Sequence, residues 1–155
     1  RLAIAKEMGV DVTINIQDVQ DPVAEVKRLT DGRGADFVVE AVGTPATYSQ
    51  ALAMVRPGGT VAAFGICAPD EMISVNPFDL VLGEKTVVGS CAGVGTDWSD
   101  AIALLAAGHV RPESMFSMIV PLEELESALQ QLRKDPTLIK VFVSAETSQR
   151  EILSS

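Results

Sequence analysis

The sequence has 155 residues, 47% of them hydrophobic and 21% charged, an ordinary globular composition that excludes a largely disordered chain. Twelve Lys and Arg against 21 Asp and Glu give a net charge of -9, so the average surface field repels a phosphate backbone and nucleic acid is not an expected partner. Two cysteines, Cys67 and Cys91, and one histidine, His109, exclude a disulfide-rich scaffold and argue against a self-contained zinc site. No apolar run approaches the roughly 20 residues of a membrane span. The opening Arg1-Leu2-Ala3-Ile4 shows no signal-peptide pattern. With two isolated cysteines, a cytoplasmic location and no membrane partner are expected.

Residues 1–8 read as the end of a helix, with Leu2, Ala5 and Met8 on one side and Gly9 as the stop. Val12-Thr13-Ile14 reads as a short strand. Asp21 caps the next helix and Pro22 occupies its first turn. Val23, Val26 and Leu29 form its stripe, and Asp31-Gly32-Arg33-Gly34 ends it. Asp36 to Gly43 is a strand with a sharp turn at its end. Thr44-Pro45 repeats the cap-and-proline start, Tyr48, Leu52 and Val55 keep helical spacing, and Arg56-Pro57-Gly58-Gly59 stops that helix. Thr60 to Gly65 and Thr86 to Cys91 are two further strands. These strands are continuous apolar runs, which suits a parallel sheet covered on both faces. Alternating strands and helices at this spacing imply repeated βαβ units.

In the last third, Trp98, Ile102 and Leu105 stripe a helix ending at Gly108. Phe116 to Val120 is a strand, Pro121 starts a helix with Leu122, Leu125, Leu129 and Leu132 on one face, and Leu138 to Val143 is the final strand. The polar tail from Glu146 is expected to fray.

Three segments draw attention as binding candidates. Val42-Gly43-Thr44, Gly65-Ile66 and Ser90-Cys91-Ala92 each end a strand, and open α/β sheets place ligands at the carboxyl ends of their strands. Each also has a plain structural reading: Gly43 turns the chain, Thr44 caps a helix, and Gly65 is a loop exit. Pro57-Gly58-Gly59 reads as structural alone. Cys91 lacks an adjacent base, so a catalytic thiol is not expected. His109 follows a helix end and needs no ligand role. Glu123-Glu124 suits a first helical turn without an active site.

Residues Gly9-Val10-Asp11, Ile14-Asn15 and Leu29-Thr30-Asp31-Gly32-Arg33-Gly34-Ala35-Asp36 come in a telling order. Glu40-Ala41-Val42-Gly43, Arg56-Pro57-Gly58-Gly59-Thr60, Phe64-Gly65, Glu84-Lys85-Thr86 and Gly89-Ser90 follow. Gly108 with Pro112, Pro121-Leu122-Glu123-Glu124 and Lys140-Val141 complete the series. Over residues 1 to about 144 this resembles the C-terminal, nicotinamide-binding portion of the zinc-dependent medium-chain alcohol dehydrogenases. Their polyol and threonine dehydrogenase branch is the most similar.

The resemblance implies a partial Rossmann-type, doubly wound parallel α/β sheet lacking its first two strands, with a C-terminal β-α-β extension. It implies an incomplete dinucleotide-binding domain over residues 1–92 and a segment over 93–144 that packs back on a catalytic domain, with residues 145–155 as a polar tail. The family's zinc-binding Gly-His-Glu segment and its Gly-x-Gly-x-x-Gly turn have no counterpart in the sequence; Gly32-x-Gly34 and Gly93-x-Gly95 lack the third glycine and the context. Residues 36–92 are expected to form a three-stranded half-sheet, leaving Val12 to Asn15 in need of another partner.

The resemblance assigns Val42, Gly43 and Thr44 to the border of the adenosine, and Gly65 and Ile66 to the nicotinamide end. The backbone of Ser90, Cys91 and Ala92 would hold the carboxamide. Lys140 would lie near the pyrophosphate, where a point charge is suited, and Arg1 near the adenosine ribose. The implied cofactor is NAD or NADP, with NAD favoured. Zinc, the proton relay and the residues that contact an alcohol or polyol substrate belong to the family's other domain. No catalytic or metal-binding residue is therefore assigned here, and the chain alone is expected to be inactive.

Two other classes remain open at this stage. The chain could be an association module forming a homo-oligomer through the edge strand Thr86 to Cys91. A methyltransferase-like Rossmann domain shares the strand, helix and Pro-Gly-Gly pattern.

Overall fold

A computed structural model describes residues 1–153. The chain divides into two compact units, one spanning Ile14–Gly93 and the other joining Arg1–Thr13 to the chain from Val94 onward.

The Ile14–Gly93 unit contains α2 (Pro22–Leu29), β1 (Ala35–Glu40), α3 (Pro45–Met54), β2 (Val55–Ala63), α4 (Pro77–Leu82) and β3 (Thr86–Gly89), where α1 is reserved for Leu2–Glu7. The strands form a parallel sheet in the order β1-β2-β3. Each helix starts as its sequence dictates. The Asp21 carboxylate accepts the N–H groups of Val23 and Ala24 ahead of α2, and Asn76 caps α4. Thr44 and Thr47 cap α3 reciprocally.

Register places Val38 of β1 beside Val61 of β2, and this face meets α3. Ala51, Val55 and Val61 are buried there, with Val38 and Leu52 against them. The opposite face carries Phe37 and Val39, which are 59% and 58% exposed. The expectation of a sheet covered on both faces is therefore met on one face only: within this unit α3 supplies the single apolar layer. β3 is an edge strand with exposed Val87 and Val88.

Three local boundaries differ from expectation. Val12 to Asn15 makes no strand, because a strand exists only through a ladder partner and no described strand offers one. The Arg56-Pro57-Gly58-Gly59 stretch does not precede β2 but lies within it. Ala35 pairs with Val55 and Phe37 with Thr60, so these four residues bulge between two rungs. β1 stops at Glu40 and β3 at Gly89, so the turns that follow begin earlier than Gly43 and Cys91.

The second unit contains α1 (Leu2–Glu7), α5 (Asp97–Ala106), β4 (Phe116–Pro121), α6 (Leu125–Lys134), β5 (Lys140–Ser144) and β6 (Glu151–Ile152). β4 is central, parallel to β5 and antiparallel to β6. Met118, Val120 and Ala128 are buried together, with Leu138 and Val141 against them. β4-α6-β5 is the expected β-α-β extension. The tail does not simply fray: Glu151 and Ile152 pair with Ile119 and Met118, and the Arg150 guanidinium holds Glu124 and Gln131. Pro121 ends β4, and a short 3-10 turn over Leu122–Glu124 precedes α6. Trp98 and Ile102, the expected stripe of α5, are 69% and 62% exposed.

Candidate functional site

Three parallel neighbours running the same way bring their carboxyl ends to one rim. Val42-Gly43-Thr44 follows β1, Gly65-Ile66 follows β2, and Ser90-Cys91-Ala92 follows β3. Eight of the ten residues singled out in the sequence thus share one edge of one sheet. Arg1 and Lys140 belong to the other unit. There the Arg1 guanidinium donates to the carbonyls of Pro136 and Leu138, 3.4 Å each, and Lys140 is exposed at the start of β5.

The first two turns touch through bare backbone. Gly43 has φ +81°, in the left-handed region, and a Cβ built on it would lie 2.5 Å from the Ile66 carbonyl oxygen. A Cβ on Gly65 would strike the Gly43 nitrogen and come within 2.5 Å of Glu40 Oε2. Both positions therefore demand glycine for a physical reason, and the side chains beside them, Val42 and Ile66, point to solvent at 69% and 81% exposure. The third turn continues the ladder by one bond, Ser90 N–H to the Ala63 carbonyl at 3.0 Å. Ala92 then adopts φ +55°, a strained backbone for a residue with a Cβ. Cys91 is exposed.

Thr44 uses its hydroxyl on the helix cap, 2.8 Å from the Thr47 hydroxyl and 3.3 Å from the Thr47 nitrogen. The structural reading of Thr44 is thereby met, and its position at the rim is kept. The first turn of α3 opens beside this edge, a favourable arrangement for a negatively charged group.

Two residues that the sequence did not single out organise the rim. Glu40 ends β1 at 3% exposure. Its Oε1 accepts the N–H groups of Val42 and Gly43, 2.9 Å each. Its own carbonyl accepts the N–H groups of Phe64 and Gly65, at 2.9 and 2.8 Å. Tyr48, on α3, donates its hydroxyl to the Gly65 carbonyl at 2.5 Å. The available signal was an acid two and three residues before Val42-Gly43, at the end of an otherwise apolar run. A solvated strand end writes the same letters.

Burial pushes the Glu40 carboxyl up, but the N–H donors of Gly43 and Val42, with the nearby hydroxyls of Thr47 and Tyr48, outweigh it. The group lies below its ordinary value of 4.5. A depressed carboxyl stabilises the fold above its unfolded pKa and loses that contribution as pH falls through its folded value. The stability gap between the parent and Glu40→Gln should therefore be widest near neutral pH and close below about pH 4.5. Urea melts at pH 7 and pH 3 measure it, and a gap of constant size would contradict the assignment. Burial, then Glu71 and Glu40, push the half-buried Cys67 thiol up, so it is not poised as a thiolate. Tyr48 is raised by burial first and then by Glu40 and Cys67.

Among the described residues no three or more His, Cys, Asp or Glu side chains cluster to hold a metal ion. The described residues therefore do not fit a zinc centre.

Residues 1–107 match the family model described as zinc-binding dehydrogenase. The chain is 38% identical over 111 residues to an alcohol dehydrogenase of Cupriavidus necator, covering 71% of this chain and 30% of that protein. It is 33% identical over 144 residues to a sorbitol dehydrogenase of Halalkalibacterium halodurans, covering 93% and 41%. Among solved structures it is similar to the alcohol dehydrogenase TADH of Thermus sp. ATN1, with TM-score 0.76, 35% identity and coverage of 90% and 39%. A putative zinc-binding dehydrogenase of Sinorhizobium meliloti 1021, solved bound to NADP, gives TM-score 0.78 at 25% identity, covering 91% and 41%. The chain thus spans well under half the length of each of these proteins. The family match favours neither the methyltransferase reading nor a purely associative one. On the match over residues 1–107 and the 38% identity to the alcohol dehydrogenase, the chain belongs to the zinc-binding dehydrogenase family.

Proposed function

We propose that this chain is the nicotinamide-dinucleotide-binding part of an alcohol or polyol dehydrogenase. The observation that carries the reading is the shared rim. Three adjacent parallel strands end together, and Gly43 and Gly65 let the first two of the turns that follow pack backbone to backbone at that rim. Open α/β sheets bind their ligands in the crevice outside the carboxyl ends of the strands. The alcohol and sorbitol dehydrogenase relatives and the NADP-bound neighbour support the same direction.

When bound, the nicotinamide supplies the hydride chemistry. The residues of this chain bind and orient it. Backbone groups of Ser90, Cys91 and Ala92 serve the carboxamide, and Gly65-Ile66 packs beside the ring. Val42, Gly43 and Thr44 border the adenosine side. NAD is the favoured form. Hydride acceptance from an alcohol takes place only with groups that these residues do not provide, so this chain alone performs no turnover.

Calorimetric titration of the 155-residue chain tests the reading. Saturable one-to-one binding of NAD+ or NADP+, with no alcohol oxidation in the same sample, is expected. Absence of binding by both dinucleotides would overturn the cofactor role, and turnover would overturn the division of labour.

A further inference from the structure

We propose that Glu40 is a positioning residue of the dinucleotide site, locking the turn after β1 against the turn after β2 with the help of Tyr48. The inference rests on the cofactor-binding reading above and names the group that gives the rim its shape.

One residue holds both turns. The Glu40 side chain takes the two N–H groups of its own exit, Val42 and Gly43. Its main-chain oxygen takes the N–H groups of the neighbouring exit, Phe64 and Gly65. Tyr48 reaches from α3 to the Gly65 carbonyl. Gly65 is thus held at both its nitrogen and its oxygen. The 43–44 and 65–66 turns, packed backbone to backbone, cannot shift independently.

Glu40 Oε2 is shielded from solvent and has no hydrogen-bond partner. A carboxylate buried with one oxygen unanswered is costly. An apolar residue at the end of the strand would avoid that cost, but it would leave the Val42 and Gly43 N–H groups without the acceptor that ties them back to β1. The arrangement exchanges local comfort for a rim whose backbone is fixed before a ligand arrives, which is how preorganisation raises affinity. Glu40 touches no reacting atom in this account. It acts through the backbone it orients.

Amide NMR titration with NAD+ on this chain tests the proposal, because affinity is read from the peaks of folded molecules and a change in stability alone does not move it. Glu40→Ala should weaken binding by about tenfold or more, the loss expected when a charge-assisted acceptor is removed. Glu40→Gln keeps an acceptor oxygen in place and should recover affinity to within about threefold of the parent. Tyr48→Phe should weaken binding by about threefold, with the largest amide shift changes at Gly65 and Ile66. Parent affinity in Glu40→Ala, or a Gln variant no better than Ala, overturns the proposal. Should Glu40→Ala fail to fold, the other two variants decide: parent affinity in Tyr48→Phe together with full loss in Glu40→Gln overturns it. A parent that binds dinucleotide while no variant differs from it sinks this inference alone. A parent that binds neither NAD+ nor NADP+ sinks the cofactor reading, and this inference with it.

Discussion

Gly65→Ala is expected to cost about 3 kcal/mol or more of stability, the upper range for forcing atoms into a packed site. It is also expected to abolish measurable dinucleotide binding. The added methyl has no free direction: it meets the Gly43 nitrogen on one side and Glu40 Oε2 on the other. Backbone cannot rotate away as a side-chain tip can, so the two turns must part. Parting them breaks the Gly65 N–H bond to the Glu40 carbonyl and the Tyr48 bond to Gly65. Gly89 is the natural control, because a Cβ there meets nothing within 4 Å, and Gly89→Ala should be close to neutral. Urea melts of both variants measure the contrast. Equal stability of the two would mean that the turns are not in contact.

Val61→Asp is expected to unfold the Ile14–Gly93 unit, at a cost on the order of 4 kcal/mol or more, the range reached when an unpaired charge is buried. Val61 is fully buried on the middle strand, against Ala51 and Val55. No cation stands in that cluster to partner a carboxylate. Val39→Asp places the same group on the bare face of β1, where 58% of the residue is already exposed, and should cost about 0.5 kcal/mol or less. Circular dichroism with urea titration separates them. A Val61→Asp variant as stable as Val39→Asp would contradict the one-sided core.

The local chemistry of the chain was legible where a few neighbouring residues decide the outcome. Asp21-Pro22 and Thr44-Pro45 start helices as written, because a cap and a proline act within one turn. The three strand-end turns were legible as binding candidates because parallel strands must end together at one rim. Partnership was less legible. Val12-Thr13-Ile14 has strand composition, but a strand is a relation between two segments. The Trp98 and Ile102 stripe gave α5 correctly, yet periodicity reports an amphipathic face and not what covers it. The bulge of Arg56 to Gly59 depends on which rungs of β1 are filled. Glu40 was legible as part of the Glu40-Ala41-Val42-Gly43 segment, but its role was not, because the letters at a strand end do not distinguish a solvated acid from one folded back onto two backbone N–H groups.

The central claim is that the rim formed by the ends of β1, β2 and β3 receives a nicotinamide dinucleotide. Residue-resolved amide NMR during titration of the parent chain with NAD+ and with NADP+ tests it most directly. The account predicts saturable shifts concentrated at residues 42–44, 65–66 and 90–92. Shifts confined to other surfaces, or none with either dinucleotide, would contradict it.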